Sequence, residues 1–202
     1  MNSVSIVRLR LEEQVDAALT RGLLAGFSED EISRCLDHRA RLRTVPVLGE
    51  GHSGEVIPEL LVVRDSGCPL ANLVRSIEIG GKRIQTYLCV SEIVPVSGIE
   101  LPTERLYPVF NVSFEQFRSR KDLRAQLGAG RRRGFTVEEG LPVLVRHPEI
   151  VDGHRALIFA ASQCGTESRS LPILYFEGDI PVLGCTDEMF NRNWEVILCD
   201  RS

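Results

Sequence analysis

Arg155-Ala156-Leu157-Ile158-Phe159-Ala160-Ala161-Ser162 decides how the chain is to be read. Residues 156–160 are apolar at every position. An extended segment of that kind needs cover on both faces, which places it in the middle of a sheet. Leu171-Pro172-Ile173-Leu174-Tyr175-Phe176 follows at hairpin distance from Ser162, and residues 194–199 add a further β-rich run. Working upstream, residues 44–48, 60–64, 84–88 and 106–112 also read as strands, punctuated by Pro46, Pro58, Pro95, Pro102 and Pro108. These strands succeed one another without crossover helices, which predicts an α+β fold with a mainly antiparallel sheet.

Two helices open the chain. Val7, Leu11, Val15, Ala18 and Leu19 recur at three- and four-residue spacing and form one helical face, which Gly22 and Gly26 end. Ser28-Glu29-Asp30-Glu31 is a capping box, and Ile32, Cys35 and Leu36 give the second helix its inner face. A short helix is expected at 69–76, followed by a Gly80-Gly81-Lys82 turn. Ser113-Phe114-Glu115-Gln116 has capping-box spacing and predicts a helix running to about Leu127. Thr136-Val137-Glu138-Glu139 caps the next one, which His147-Pro148 ends. The chain contains no internal repeat, so one domain over 1–202 is expected: a helical part at 7–43, a mixed middle at 44–134 and a β-rich part at 135–202.

Composition limits the partners. With 43% hydrophobic and 26% charged residues and a formal net charge of −4, the chain has an ordinary core and no global pull on nucleic acid or anionic membrane. Its first residues lack a signal-peptide apolar core, and its uncharged stretches fall short of the ~20 residues a membrane span requires. A cytoplasmic location follows as an expectation. Six scattered cysteines then read as reduced thiols without bound metal.

Three features could carry chemistry. Leu48-Gly49-Glu50-Gly51-His52-Ser53-Gly54 matches glycine-rich phosphate loops, in which Gly49, Gly51 and Gly54 would let backbone N–H groups approach a phosphate. A helix or a strand lysine should follow, yet residues 56–60 read as extended and Arg64 stands where lysine would, so a hairpin tip is expected and no nucleotide. Arg118, Arg120, Lys121, Arg124, Arg131, Arg132 and Arg133 face a single acid, Asp122. Arg131, Arg132 and Arg133, with Arg124, are the expected contact for an anionic ligand or an acidic protein partner. Nothing aromatic interleaves these arginines, so nucleic acid is not expected there. Cys164, Cys185 and Cys199 are soft candidate ligands or nucleophiles, but no C-x-x-C pair supports a zinc site. His147 at a helix end reads as a dipole partner, and Trp194 as core.

Several stretches resemble a bacterial family of unknown function common in high-GC Gram-positive bacteria. The matching pieces are Phe135-Thr136-Val137-Glu138-Glu139-Gly140, His147-Pro148-Glu149, Ser162-Gln163-Cys164-Gly165 and Leu183-Gly184-Cys185. Looser matches lie in Gln14-Val15-Asp16, Ala25-Gly26-Phe27-Ser28-Glu29, Leu60-Leu61-Val62-Val63 and Gly81-Lys82. Residues 50–56 depart as an insertion, and Arg131-Arg132-Arg133 replaces a less basic run. The resemblance implies a bacterial cytoplasmic protein and transfers no mechanism. The resulting expectation is a non-catalytic binding or accessory protein without cofactor. The alternatives are an enzyme with a site near the C-terminal strands, and an anion-binding module centred on the arginines.

Overall fold

The backbone of a computed structural model is described at residues 10–20, 24–42, 56–64, 69–99, 101–128, 130, 132–146, 150, 156–165, 170–186 and 194–200. Helices α1 (Leu11–Thr20) and α2 (Glu29–Leu42) open it, followed by β1 (Val56–Val63) and α3 (Leu70–Ser76). Short strands β2 (Glu78–Ile79), β3 (Lys82–Arg83), β4 (Gln85–Thr86) and β5 (Ile93–Pro95) lead to the long strand β6 (Leu106–Glu115). Then come α4 (Arg120–Gly128), β7 (Arg132–Gly134) and α5 (Val137–Arg146). The chain finishes with β8 (Ala156–Ile158), β9 (Ser162–Cys164), β10 (Leu171–Glu177), β11 (Ile180–Thr186) and β12 (Trp194–Asp200).

Eight strands form the main sheet, in the order β1-β6-β12-β8-β10-β11-β4, with β7 also paired to β12. Its pairs are antiparallel except β12 with β8 and β11 with β4. Strands β2–β3 and β5–β9 make two separate ribbons. The apolar run read first from the sequence is central: β8 lies between β12 and β10 and is buried throughout. It stops at Ile158, however. A turn follows, and Ser162 begins β9 on the β5 ribbon, so residues 155–162 are not one strand.

Helices cover both faces. On one, Val137, Leu141 and Leu144 of α5 and Val74 of α3 pack on Leu60, Val62, Tyr107, Val109, Leu157, Leu174 and Ile197. At Gly140 the Phe159 ring lies so close that even a methyl group would collide with it, which is why a residue without a side chain stands in mid-helix. The opposite face carries two smaller clusters. One joins α1 and α2 to Leu61 and Leu106, and the other sets Leu123 of α4 on Ala156, Ile158, Ile173, Val196 and Leu198.

The side-chain alternation breaks once, in two strands together. Along β6, Tyr107 and Val109 face the large cluster, and then Val112 does; along β1, Val62 and Leu60 do, and then Ile57. The slip falls at Pro58 and Asn111, between the pairs Ile57–Val112 and Glu59–Phe110. Proline has no N–H for the ladder, and Asn111 takes a left-handed φ of 50°, a conformation asparagine tolerates better than most residues. Beyond this point β6 presents Asn111, Ser113 and Glu115 on the face opposite the large cluster.

Among the expected elements, the Ser28 box is present: Ser28 N–H and hydroxyl both donate to Glu31, and Glu31 N–H donates to Ser28 Oγ. The Ser113 box is not. The β6 pairing with β1 and β12 carries Ser113 through to Glu115 as strand, and α4 is capped by Ser119, whose Oγ accepts from Asp122 N–H. Leu19 lies outside the inner face of α1, at 46% exposure. Strand β11 had no counterpart in the sequence reading. The expected strand at 44–48, the glycine loop with Gly49, Gly51 and Gly54, Val7, Arg131, Cys68, His52 and His147 lie outside the described residues.

Among the described residues strand β1 is an edge of the sheet, and a side chain of α1 bonds to it. Gln14 Nε2 donates to Glu59 O at 3.0 Å and Gln14 Oε1 accepts from Leu61 N–H at 2.8 Å. These are the two backbone groups flanking Leu60, so the side-chain amide stands in for the N–H and C=O of one residue of a parallel neighbour. Gln14→Leu keeps the volume and removes both bonds. It is expected to lower stability by about 1–3 kcal/mol, read as a fall in the urea midpoint at unchanged slope.

Candidate functional site

Of the three adjacent arginines expected to contact an anion, the two described ones, Arg132 and Arg133, are inside the fold. Strand β7 sends consecutive side chains to opposite faces of the sheet, and each finds carboxylates. Arg132 is 3% and Arg133 5% exposed. Arg133 lies opposite Cys199 on β12, on the large-cluster face, and Arg132 lies opposite Asp200 on the other.

Glu139, with no exposed surface, is the centre of the first group. Arg133 Nη1 and Nη2 donate to its two oxygens at 2.9 and 2.7 Å, and Tyr107 Oη donates at 2.6 Å. Thr136 N–H and Oγ1 donate at 2.9 and 3.1 Å, while Glu139 N–H donates to Thr136 Oγ1 at 3.2 Å. The expected capping box is therefore present, but its acid does more than complement a helix dipole. A second orphan N–H of the same helix end, Val137 N, donates to Ser162 Oγ at 3.0 Å. Around Arg132, Nη1 donates to Glu115 Oε1 at 2.6 Å and Nη2 to Asn111 O at 2.7 Å, with Asp200 Oδ1 3.8 Å from Nε. The left-handed turn at Asn111 brings these groups to one face.

Protonation follows the packing. Burial first, and then the Glu139 carboxylate, hold the Tyr107 hydroxyl protonated well above the usual tyrosine range. Burial raises the Cys199 thiol to about 12, although Arg133 and Arg132 pull the other way. Burial alone takes Cys35 to about 12. A thiol held neutral in this way is a poor nucleophile, so Cys199 serves as a small core side chain.

The remaining thiol candidates correct a further expectation. Cys164 and Cys185 are bonded to each other, whereas all six cysteines were expected to be reduced. The two strands β9 and β11 bring together residues 21 apart in sequence. Among the described residues, no group of three or more His, Cys, Asp or Glu is placed to hold a metal ion.

Two surface features remain. An open cleft of about 210 Å³ is lined by Glu31, Arg34, Thr103, Glu104, Arg105 and Leu106. It is smaller than the usual 300–1,000 Å³ of small-molecule sites. Arg105 in it is already engaged by Glu31 at 3.3 Å and Gly26 O at 2.9 Å, and it stacks 4.5 Å from the Phe27 ring centroid. The second is a strip at the far edge of the sheet. Strand β4 has two residues and meets β11 only at Val182 and Leu183. Just beyond it, Tyr87 is 76% exposed. Extending the register sets Tyr87 beside Gly184, and Tyr175 lies across Gly184, its Cε1 3.0 Å from where a β-carbon would stand. The two tyrosines are near enough for Tyr87 to add to the upward shift of the half-buried Tyr175 hydroxyl, behind burial and Glu177. On the same face Tyr175 and Trp194 border the cluster under α4; Lys121 and Arg124 of that helix, and Arg118 just before it, are exposed. Sequence reading missed this strip, because Tyr87 and Tyr175 are 88 residues apart in number and meet only through the β4–β11–β10 register.

No family model matches the chain, and neither a curated protein nor a solved structure is similar to it. Among the described residues no helix is long and apolar enough to cross a membrane.

Tyr107 gives the buried group a pH signature. In the unfolded chain its hydroxyl ionises near pH 10, while in the folded protein it does not. Its stabilising contribution is therefore complete below pH 10 and declines as pH rises further, by about 1.4 kcal/mol per unit. Tyr107→Phe should be about 1–3 kcal/mol less stable at neutral pH, since Glu139 loses one donor. The gap between variant and wild type in urea unfolding should close above pH 10; a constant gap would contradict the assignment.

Proposed function

We propose that the protein is a non-catalytic binding module that takes an extended, acidic, aromatic-containing segment of a partner protein. The segment lies along the strip between helix α4 and the β4 edge. The observation that carries this reading is Tyr87, 76% exposed beside a sheet edge that its own strand covers for two residues only. Exposed tyrosine is characteristic of protein contact surfaces, and an open strand edge receives extended peptides through main-chain hydrogen bonds. Charge selects the partner: Arg118, Lys121 and Arg124 flank the strip in a protein of net charge −4. The anionic contact expected from the arginine run thus moves from the buried Arg132 and Arg133 to the exposed basic residues of α4 and its approach, Arg124 among them. The buried ionic groups support a non-catalytic role, because Arg133, Glu139 and Tyr107 spend their hydrogen bonds on one another.

The setting belongs to the same proposal. A bacterial cytoplasmic protein is the reading supported by the family resemblance of residues 135–140, 162–165 and 183–185.

A random copolymer of glutamate and tyrosine is a direct probe. Wild-type protein should bind it more tightly than polyglutamate, and binding should weaken between low and physiological salt. Tyr87→Ala should cost about tenfold in affinity, as should the double variant Lys121→Glu/Arg124→Glu, with folding unchanged because all three side chains are exposed. Failure of the wild type to bind, or equal binding by Tyr87→Ala, overturns the reading. Tighter binding of oligothymidylate than of the copolymer would replace the protein partner by a single-stranded nucleic acid.

A further inference from the structure

The Cys164–Cys185 bond has a position unlike that of the two buried cysteines. Cys35 and Cys199 are buried, whereas Cys164 and Cys185 are both half-buried, with solvent at each residue. Neither belongs to any of the three apolar clusters. The bond also crosses between two sheets: Cys164 ends β9 of the small β5–β9 ribbon, and Cys185 lies in β11 of the main sheet.

Backbone pairing and two anchored side chains also hold the ribbon. Its ladder has three residue pairs, Ile93–Cys164, Val94–Gln163 and Pro95–Ser162. The backbone adds Val96 N–H to Ala161 O, Gly165 N–H to Glu92 O and Cys164 N–H to Ser170 O. Ile93 roots β5 in the large cluster, and Ser162 is tied to Val137 N–H. Cys164, at the outer end, has the disulfide as its covalent hold. Opening the bond therefore removes the covalent tie between β9 and β11, leaves the Cys164 end on backbone hydrogen bonds alone, and keeps the core and the Glu139 group in place.

We propose that Cys164–Cys185 is a site of reversible thiol–disulfide exchange with a dithiol reductant, clamping β9 to β11 when oxidised and releasing it when reduced. A thiolate of the reductant attacks one of the two sulfurs; the S–S bond breaks, and the other sulfur leaves as a thiolate and takes up a proton. The second thiol of the reductant then attacks the mixed disulfide, releasing the remaining cysteine as a thiol and leaving the reductant as its own disulfide. Two electrons and two protons pass to the protein. Both cysteines are half-buried rather than sealed in the core, and an exchangeable bond of this kind fits the cytoplasmic setting proposed above, on which this point rests, since protein disulfides there are transient or redox-sensing. The inference is independent of the binding strip.

The test uses the full chain carrying Cys89→Ser, which removes an exposed thiol that could exchange between molecules. Protein equilibrated in graded mixtures of reduced and oxidised dithiothreitol is alkylated and mapped by mass spectrometry, with hydrogen exchange measured at each end point. Cys164 and Cys185 should convert together from disulfide to thiols while the protein stays folded, and revert on reoxidation. Exchange in β9 should rise about tenfold on reduction, with β12 unchanged, and Cys164→Ser/Cys185→Ser should reproduce the reduced pattern. Three results overturn the proposal: no 164–185 bond in the oxidised protein, reduction only in denaturant, or β9 exchange indifferent to the state of the bond. A double serine variant that fails to fold would also overturn it, by making the bond a structural staple.

Discussion

Beneath α5 a single carboxylate, that of Glu139, receives five hydrogen bonds: two from Arg133, one from Tyr107 and two from Thr136. Taking an ion pair out of water costs several kcal/mol per charge, and the interior returns it only when every lone pair and proton is used. That condition explains much of the surrounding geometry. Tyr107 reaches Glu139 from β6, Arg133 from β7, and Thr136 from the helix cap, so three elements are fixed against each other by one side chain. Gly140 follows at once and lets Phe159 close over the helix. Because β7 alternates, placing Arg133 under α5 commits Arg132 to the opposite face, where Asn111, Glu115 and Asp200 receive it. The phase slip at Pro58 and Asn111 serves the same demand: it preserves the apolar face and turns a carbonyl toward Arg132.

Among the described residues, the two edges of the main sheet differ. At β1 the Gln14 amide bonds the two backbone groups that flank Leu60, as an added strand would. At β11 the cover is two residues of β4, followed by exposed Tyr87. A nearby surface ion pair, Lys82–Asp179 at 2.9 Å, adds little stability, since both partners are more than half exposed. The contrast between these two edges is what supports the binding role proposed for the β4 side.

Much of the fold could be read from local chemistry. The Ser28 and Thr136 boxes, the all-apolar strand at 156–158 and the runs at 171–177 and 194–200 carry their signals within a few residues. The misses share a cause: tertiary neighbours outvoted local pattern. Ser113 has capping-box spacing, but β1 and β12 hold it as strand from both sides. Arg131-Arg132-Arg133 looks like a solvated basic run, and only the positions of Glu139, Glu115 and Asp200 turn Arg132 and Arg133 inward. The Cys164–Cys185 bond and the Tyr87–Tyr175 strip depend on strand register, which no local window contains. The six-residue stretch from Phe135 to Gly140 was legible as a motif but not as a mechanism: its phenylalanine is core, its threonine a cap, its second glutamate the buried centre and its glycine a close contact.

The claim on which the account rests is that Arg133 and Glu139 are costly singly and tolerable only together, and a double-mutant cycle measures this directly. Arg133→Met and Glu139→Leu should each lower unfolding stability by about 3–5 kcal/mol, because each leaves one charge buried without its partner. The double variant should be destabilised by far less than the sum, with a coupling of about 2 kcal/mol or more from urea unfolding at neutral pH. Additive losses would contradict the account, since they would mean that the two side chains act independently and the fold is held by its apolar packing alone.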